Sequence, residues 1–258
     1  MHDIEQLVDT ACYPIHEPES PRYETLITQG RLRLRNDAVF SLPGFIRTEI
    51  LDAMQCEARA LIPAGYHKVR EREAIGRNVP YPTRVSSNCI GLDQMFIASR
   101  MRSLFFSDAL TSFIGALLNR HPYYRTEDPM ASCMITALGV DDELGWHFDS
   151  NDGVVTLMLE HSDEGGLFEF VANARDLGDV EFEKILTNTS TAISRLKHEA
   201  GALTLFNGHR ALHRVSPVAS GPARLTLIFS YDSEPGQIFS ESVRRGFFGR
   251  IEPLPTPP

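Results

Sequence analysis

Gly201-Ala202-Leu203-Thr204-Leu205-Phe206-Asn207-Gly208 is a short apolar run ending on an Asn-Gly turn, and a second run, Leu212-His213-Arg214-Val215-Ser216-Pro217-Val218, follows it. Asn-Gly between two such runs is a strong turn signal. Runs of the same kind occupy 131–138, 154–159, 165–171 (opening on Gly165-Gly166), 192–196 and 223–231. Short strands in this number, with turns between them, predict an antiparallel barrel or jelly roll. Residues 180–186 read as a brief helical insertion.

Upstream of Pro122 the pattern is mostly helical. Ile4, Leu7, Val8 and Ala11 share one side of a short helix. Residues 14–21, rich in Pro and Glu, read as a loop. Residues 32–42 alternate (Leu32, Leu34, then Ala38, Phe40, Leu42), which predicts a strand broken near Asn36-Asp37. A helix is expected from Arg47-Thr48 to Leu61, stopped by Pro63-Ala64-Gly65. Residues 69–82 are charged and read as irregular and exposed; 84–90 read as a strand. Residues 103–118 form the best amphipathic helix, with Leu104, Phe105, Leu110, Phe113, Ile114 and Leu117 apolar. The expected class is mainly β with flanking helices, in a single domain over 1–258. Residues 1–125 would be supporting helices and strands, 126–235 the β core, and 236–258 a lid or tail whose Pro-rich end is frayed.

Composition narrows the function. The 258 residues carry 34 acidic against 25 basic side chains, net −9. Phosphate contact needs a clustered positive patch, so a nucleic-acid surface is not expected. The short Arg244–Arg250 segment reads as solvated or docking. No apolar run is long enough for a membrane span. The N-terminus lacks a basic and apolar leader. Cys12, Cys56, Cys89 and Cys133 form no C-x-x-C pair, against structural zinc or a disulfide framework. A reduced, cytoplasmic protein is expected.

The chemistry starts at Gly145-Trp146-His147-Phe148-Asp149-Ser150, just ahead of a strand-like run. On an extended backbone, residues i and i+2 share a face. His147 and Asp149 can therefore grip one metal ion, with His213 as the third ligand. Two His and one carboxylate, with the opposite positions open, suit non-haem Fe(II). A lone H-x-D is often a chance surface pair, so the context of His213 decides. His209 is the rival ligand, placed after the turn at a loop mouth. His2, His16, His67, His121, His161 and His198 fall in polar stretches and read as surface residues. Asp141-Asp142-Glu143 lacks calcium-loop spacing, and no G-x-S-x-G or P-loop is present.

The H-x-D of His147 and Asp149, the L-H-R-V-x-P-V of 212–218 and the G-x-x-R-x-T of 221–226 together resemble the 2-oxoglutarate/Fe(II)-dependent dioxygenase superfamily. The resemblance covers roughly 131–232 and implies a double-stranded β-helix. It implies iron on His147, Asp149 and His213, Arg224 on the distal carboxylate of 2-oxoglutarate, and a hydroxyl from Thr226, with O2 as the other co-substrate. Trp146-His147-Phe148-Asp149, Gly165-Gly166-x-Phe168-Glu169 and Tyr231-Asp232-Ser233-Glu234-Pro235-Gly236 further resemble enzymes acting on free amino acids, a subgroup of hydroxylases and radical halogenases. In the halogenases a Gly stands where this chain has Asp149, so the resemblance implies hydroxylation of an unactivated C–H bond, with succinate and CO2 as co-products. Desaturation or ring closure by the same chemistry, and a non-catalytic binding barrel, are the alternatives. Met130, Ser150 and Ile228 match places that read the substrate's side-chain ammonium in lysine-acting members, which implies a less charged amino acid as substrate. Arg84 matches an arginine that binds the substrate carboxylate. Phe247 and Phe248 read as a lid or as tail docking. An apolar face at 103–118 would permit a homodimer.

Overall fold

Leu203 and Leu205 bury among helices, while Thr204 between them is buried on the opposite side, bonded through Oγ1 to Ser41 Oγ at 2.9 Å. This period-two sorting organises the molecule. The computed structural model describes residues 2–73, 81–149, 154–196 and 198–257. In chain order its elements are α1 (Ile4–Leu7), α2 (Pro21–Asp37), β1 (Val39–Leu42), α3 (Thr48–Leu61), β2 (Tyr66–Glu73), β3 (Pro82–Ile90), α4 (Arg100–Phe105), α5 (Asp108–Leu117), β4 (Tyr124–Arg125), β5 (Cys133–Leu138) and β6 (Glu143–His147). There follow β7 (Val154–Glu160), β8 (Glu164–Gly165), β9 (Phe168–Val171), α6 (Asp179–Leu186), β10 (Ser194–Leu196), β11 (Leu203–Phe206), β12 (Leu212–Val215), β13 (Val218–Ser220), β14 (Arg224–Phe229), β15 (Tyr231–Asp232) and α7 (Glu241–Phe248).

The large sheet runs β1-β11-β7-β14-β5-β3-β6-β12-β9-β10, with β2 on β3 as well. Strand β3 is the handover: Asn88–Ile90 pair with β5, and Val85–Ser86 with β6. The path then curls back on itself. Phe168 of β9 meets Phe206 of β11 edge-on at 4.9 Å between ring centroids, although these strands lie near opposite ends of the order. The result is the expected mainly-β double-stranded β-helix. Its outer face (Ile135, Ala137, Val155, Leu157, Leu203, Leu205, Leu225, Leu227) packs on α1 to α5 and forms the main core. The alternate positions of the same strands, Thr136, Thr204, Arg224 and Thr226, are buried inside the roll. Alternation thus places polar groups where a site can form.

Four expectations need correction. Residues 32–37 are not a strand but the end of α2. Ser20 Oγ accepts from Tyr23 N at 3.2 Å with Pro21 at the first turn, so a helix starts there. Its buried side uses Tyr23, Ile27 and Gly30, leaving the Arg/Leu alternation outside with Leu32 exposed. Residues 66–73, read as irregular from 69 on, form β2, whose charges are tolerable because it pairs along its length with β3. The 103–118 helix is two helices broken at Phe106-Ser107, with Ser107 Oγ capping the second. Its apolar residues sit in the chain's own core and are not available to a second copy.

The C-terminal segment is docked rather than frayed. Buried Asp128 accepts from Arg244 Nε (2.8 Å), Phe239 N (3.0 Å), Met130 N (2.9 Å) and Ala131 N (2.7 Å). Buried Asp93 holds Arg250 and Leu254 N (2.6 Å). Burial pushes the Asp128 carboxyl up, but the bonds from Ala131, Met130, Arg244 and Phe239 outweigh it and hold it below the usual range. A depressed carboxylate adds stability above its unfolded pKa and loses it as pH falls through the folded value. Asp128→Asn should therefore cost about 3 kcal/mol at neutral pH and flatten the acid limb of a Tm-against-pH curve; an unchanged limb would remove Asp128 as its source.

Candidate metal centre

Strands β6 and β12 pair so that His147 and His213 are direct register partners. Their rings lie 4.1 Å apart between centroids. Asp149 follows β6 and is anchored by its own N–H to Gly208 O at 3.0 Å. Its Oδ1 lies 3.8 Å from His147 Nε2, and its Oδ2 3.5 Å from His213 Nε2. One ligand atom from each of the three residues falls within 4.8 Å of the others. The far nitrogens are engaged: His147 Nδ1 with Gly145 O at 2.7 Å, His213 Nδ1 with Ala211 O at 3.1 Å. A carbonyl accepts only from N–H, so both Nδ1 atoms carry the proton and both Nε2 lone pairs face the cluster. That is the tautomer a metal-binding imidazole needs.

Packing fixes the rings. Phe206 meets His213 edge-on at 4.7 Å and Phe168 lies 5.8 Å away. Trp146 of β6 buries with Phe182, Ile185 and Leu186 of α6, and just past the strand Arg175 stacks over Phe148 at 4.1 Å. Next to His213, Arg214 joins Arg195 on buried Glu169, tying β12, β9 and β10 together. Space at the carboxylate comes from Gly208, where a Cβ would stand 1.9 Å from Asp149 Oδ2.

Arg224 is 4 % exposed, and its Nη1 donates to Thr226 Oγ1 at 2.6 Å. Burial lowers its pKa to about 10, so it stays charged at neutral pH. Its Nε has no hydrogen-bond partner, and no carboxylate among the described residues pairs with it. A buried cation without a counter-charge is costly, and a bound dicarboxylate would supply one. Gly166, at φ +59°, lets the arginine stem lie flat, since a Cβ there would come within 3.1 Å of Arg224 Cδ.

Ile228 lies on the same face of β14 as Arg224 and Thr226 and, like Phe247, packs against the cluster that holds Met130, Met134 and buried Phe248. Helix α7 therefore docks its aromatic pair over this end of the roll. Arg84 Nη1 donates to Asp141 O at 2.6 Å and stands 3.6 Å from Glu143. Ser150 lies outside the described residues. His209 is exposed, and its carbonyl accepts from Arg175 Nε at 2.6 Å. One histidine read as a surface residue is not one: His198 is 6 % exposed. Its neighbours Lys197 and Glu199 give no local hint of that burial. Gly208 read only as a turn, and its role beside Asp149 needs the third dimension.

Solved structures share this fold at low identity. The epimerase SnoN from nogalamycin biosynthesis is 16% identical, with 81% of this chain and 83% of that one covered and a TM-score of 0.57. A Pseudomonas putida prolyl-4-hydroxylase is 17% identical, covering 79% and 97%, at 0.52. HygX from Streptomyces hygroscopicus, solved with nickel, 2-oxoglutarate and hygromycin B, is 14% identical, covering 79% and 86%, at 0.54. No curated protein sequence matches the chain. A β-helix roll with this triad at its mouth is the architecture of the 2-oxoglutarate/Fe(II)-dependent dioxygenase superfamily, and the chain is one of its enzymes. Within it, the chain belongs to the family described as Halogenase D, whose sequence model matches residues 23–241.

Proposed function

We propose that this enzyme hydroxylates an unactivated C–H bond of a small substrate, a free amino acid or close derivative, using Fe(II), 2-oxoglutarate and O2. The observation that carries the reading is the convergence of His147, Asp149 and His213 within 4.8 Å. Two histidines and a carboxylate are a donor set that suits Fe(II), and these three side chains would hold it. Bound iron and 2-oxoglutarate together supply the oxidising chemistry, with succinate and CO2 as co-products.

The chain's own residues supply the rest. His147 and His213 present Nε2 and are held by the carbonyls of Gly145 and Ala211. Arg224 and Thr226 orient the distal carboxylate through charge-assisted bonds. Phe168 and Phe206 keep water from the back of the triad. Asp149 in the position that halogenases leave to Gly favours hydroxylation over halogenation. Ile228 and Met134 offer an apolar wall, which fits a side chain without charge, and Arg84 is the candidate for the substrate carboxylate. Unpaired Cys12 and Cys56 on the surface fit a reducing cytoplasm.

Succinate formation with added Fe(II), 2-oxoglutarate and a panel of amino acids tests the reading, with product mass as readout. Gain of one oxygen is expected; loss of two hydrogens would replace hydroxylation by desaturation or cyclisation, and no turnover across the panel would remove the amino-acid assignment. Arg224→Met should weaken 2-oxoglutarate binding by about 3 kcal/mol, roughly 150-fold in Kd. Calorimetric titration checks this, and an unchanged Kd would place the co-substrate elsewhere.

A further inference from the structure

Three groups that the sequence scatters are electrostatic neighbours, with His198 acted on by the other two: His198, His161 just after β7, and Arg224 on β14. His198 is 6 % exposed and its Nε2 has no hydrogen-bond partner. Its ring packs on Phe168 at 5.2 Å. Phe168 in turn packs against the cluster of Leu138, Val215 and Val218, in which Leu138 is the register partner of Arg224. The guanidinium bears on the imidazole electrostatically, as does His161. Arg224 Nε and His198 Nε2 are thus both buried without a hydrogen-bond partner among the described residues, and the two side chains are near enough to interact electrostatically.

Each nitrogen is expensive to bury alone. An inert packing role for position 198 would suit an apolar ring better, since Phe168 is its neighbour. A second positive charge beside Arg224 would be repelled. Burial, then Arg224, then His161 lower the His198 pKa to about 3, so the ring is neutral at physiological pH. A neutral imidazole still carries one N–H and can donate to an anion without adding charge to the site.

We propose that His198 is a positioning residue for the co-substrate, donating from Nε2 to the distal carboxylate of 2-oxoglutarate alongside Arg224. The assignment rests on the proposed use of 2-oxoglutarate and adds a side chain that no motif of this chain points to. Arginine supplies the counter-charge, and His198 fixes where the carboxylate stops, so the pair would set the length of oxo-acid accepted.

The test compares two ligands on Mn(II)-loaded protein without oxygen, by calorimetric titration. One is 2-oxoglutarate; the other is 2-oxopentanoate, which has a methyl group in place of the distal carboxylate. His198→Phe keeps a flat ring and removes the donor. It should weaken 2-oxoglutarate about 10- to 100-fold and leave 2-oxopentanoate unchanged. His198→Gln, which keeps an N–H, should recover most of the loss. Equal losses for both ligands, or none for 2-oxoglutarate, would overturn the proposal. Wild-type protein labelled with 15N-histidine and loaded with Zn(II) gives a reading free of any folding defect. An imidazole N–H resonance should shift with 2-oxoglutarate and not with 2-oxopentanoate; its absence also overturns the assignment. Failure of the wild type to bind 2-oxoglutarate at all would instead remove the co-substrate reading, and this one with it.

Discussion

His213→Ala and His147→Ala should each abolish iron retention and turnover. Each substitution would remove one of the three proposed donors. Changing a residue that merely orients a metal ligand already costs 10–100-fold in affinity or activity, so loss of the ligand itself should exceed about 100-fold. Metal content after anaerobic reconstitution and succinate release are the measurements. The two variants should differ in stability. His213 is the more buried, at 7 % side-chain exposure against 17 % for His147, and is wedged beside Phe206. Its truncation leaves the larger void and the lower Tm. Full turnover by either variant would sink the assignment.

Asp149→Gly should lose hydroxylation, by at least about 100-fold on the same reasoning. This substitution separates two outcomes that one fold can host. The family is described as a halogenase family, yet this chain keeps a carboxylate within 3.8 Å of both imidazole Nε2 atoms. Removing it opens a position on the same side of the triad, where chloride could stand in for the carboxylate oxygen. Product mass with and without chloride reads the result directly: a chlorinated product assigns position 149 as the switch. Wild-type hydroxylation by the glycine variant would mean that Asp149 does not hold the metal.

The β core was legible because its strands are short, alternate with period two, and are separated by turns; 133–138, 154–160, 203–206 and 224–229 all emerge as strands. The triad was legible because an i, i+2 pair on extended backbone has only one geometry to offer, and His213 lies in a strand that pairs with it. What was hidden follows from context. In α2, Leu32 and Leu34 alternate like a strand, but the cap at Ser20 and the buried side through Tyr23 and Ile27 decide the backbone. Strand β2 is highly charged, which marks a solvated face, and its backbone is held by pairing with the next strand, β3, which its composition does not show. His198 sits in a polar stretch, and the ring it packs against, Phe168, arrives from β9. Arg244 and Arg250 look like solvent charges until Asp128 and Asp93 fold against them.

Gly208 and Asp149 share a volume that holds one side chain. A methyl group at 208 would lie 2.6 Å from Asp149 Cγ and 3.0 Å from its Cβ, so it could not be accommodated by a twist of the carboxylate tip alone. The carboxylate would have to leave the two imidazoles. The two positions are therefore alternatives: in this backbone a chain can carry a metal-binding acid at 149 or a side chain at 208, and the glycine of a turn acts as the permit for the acid across from it.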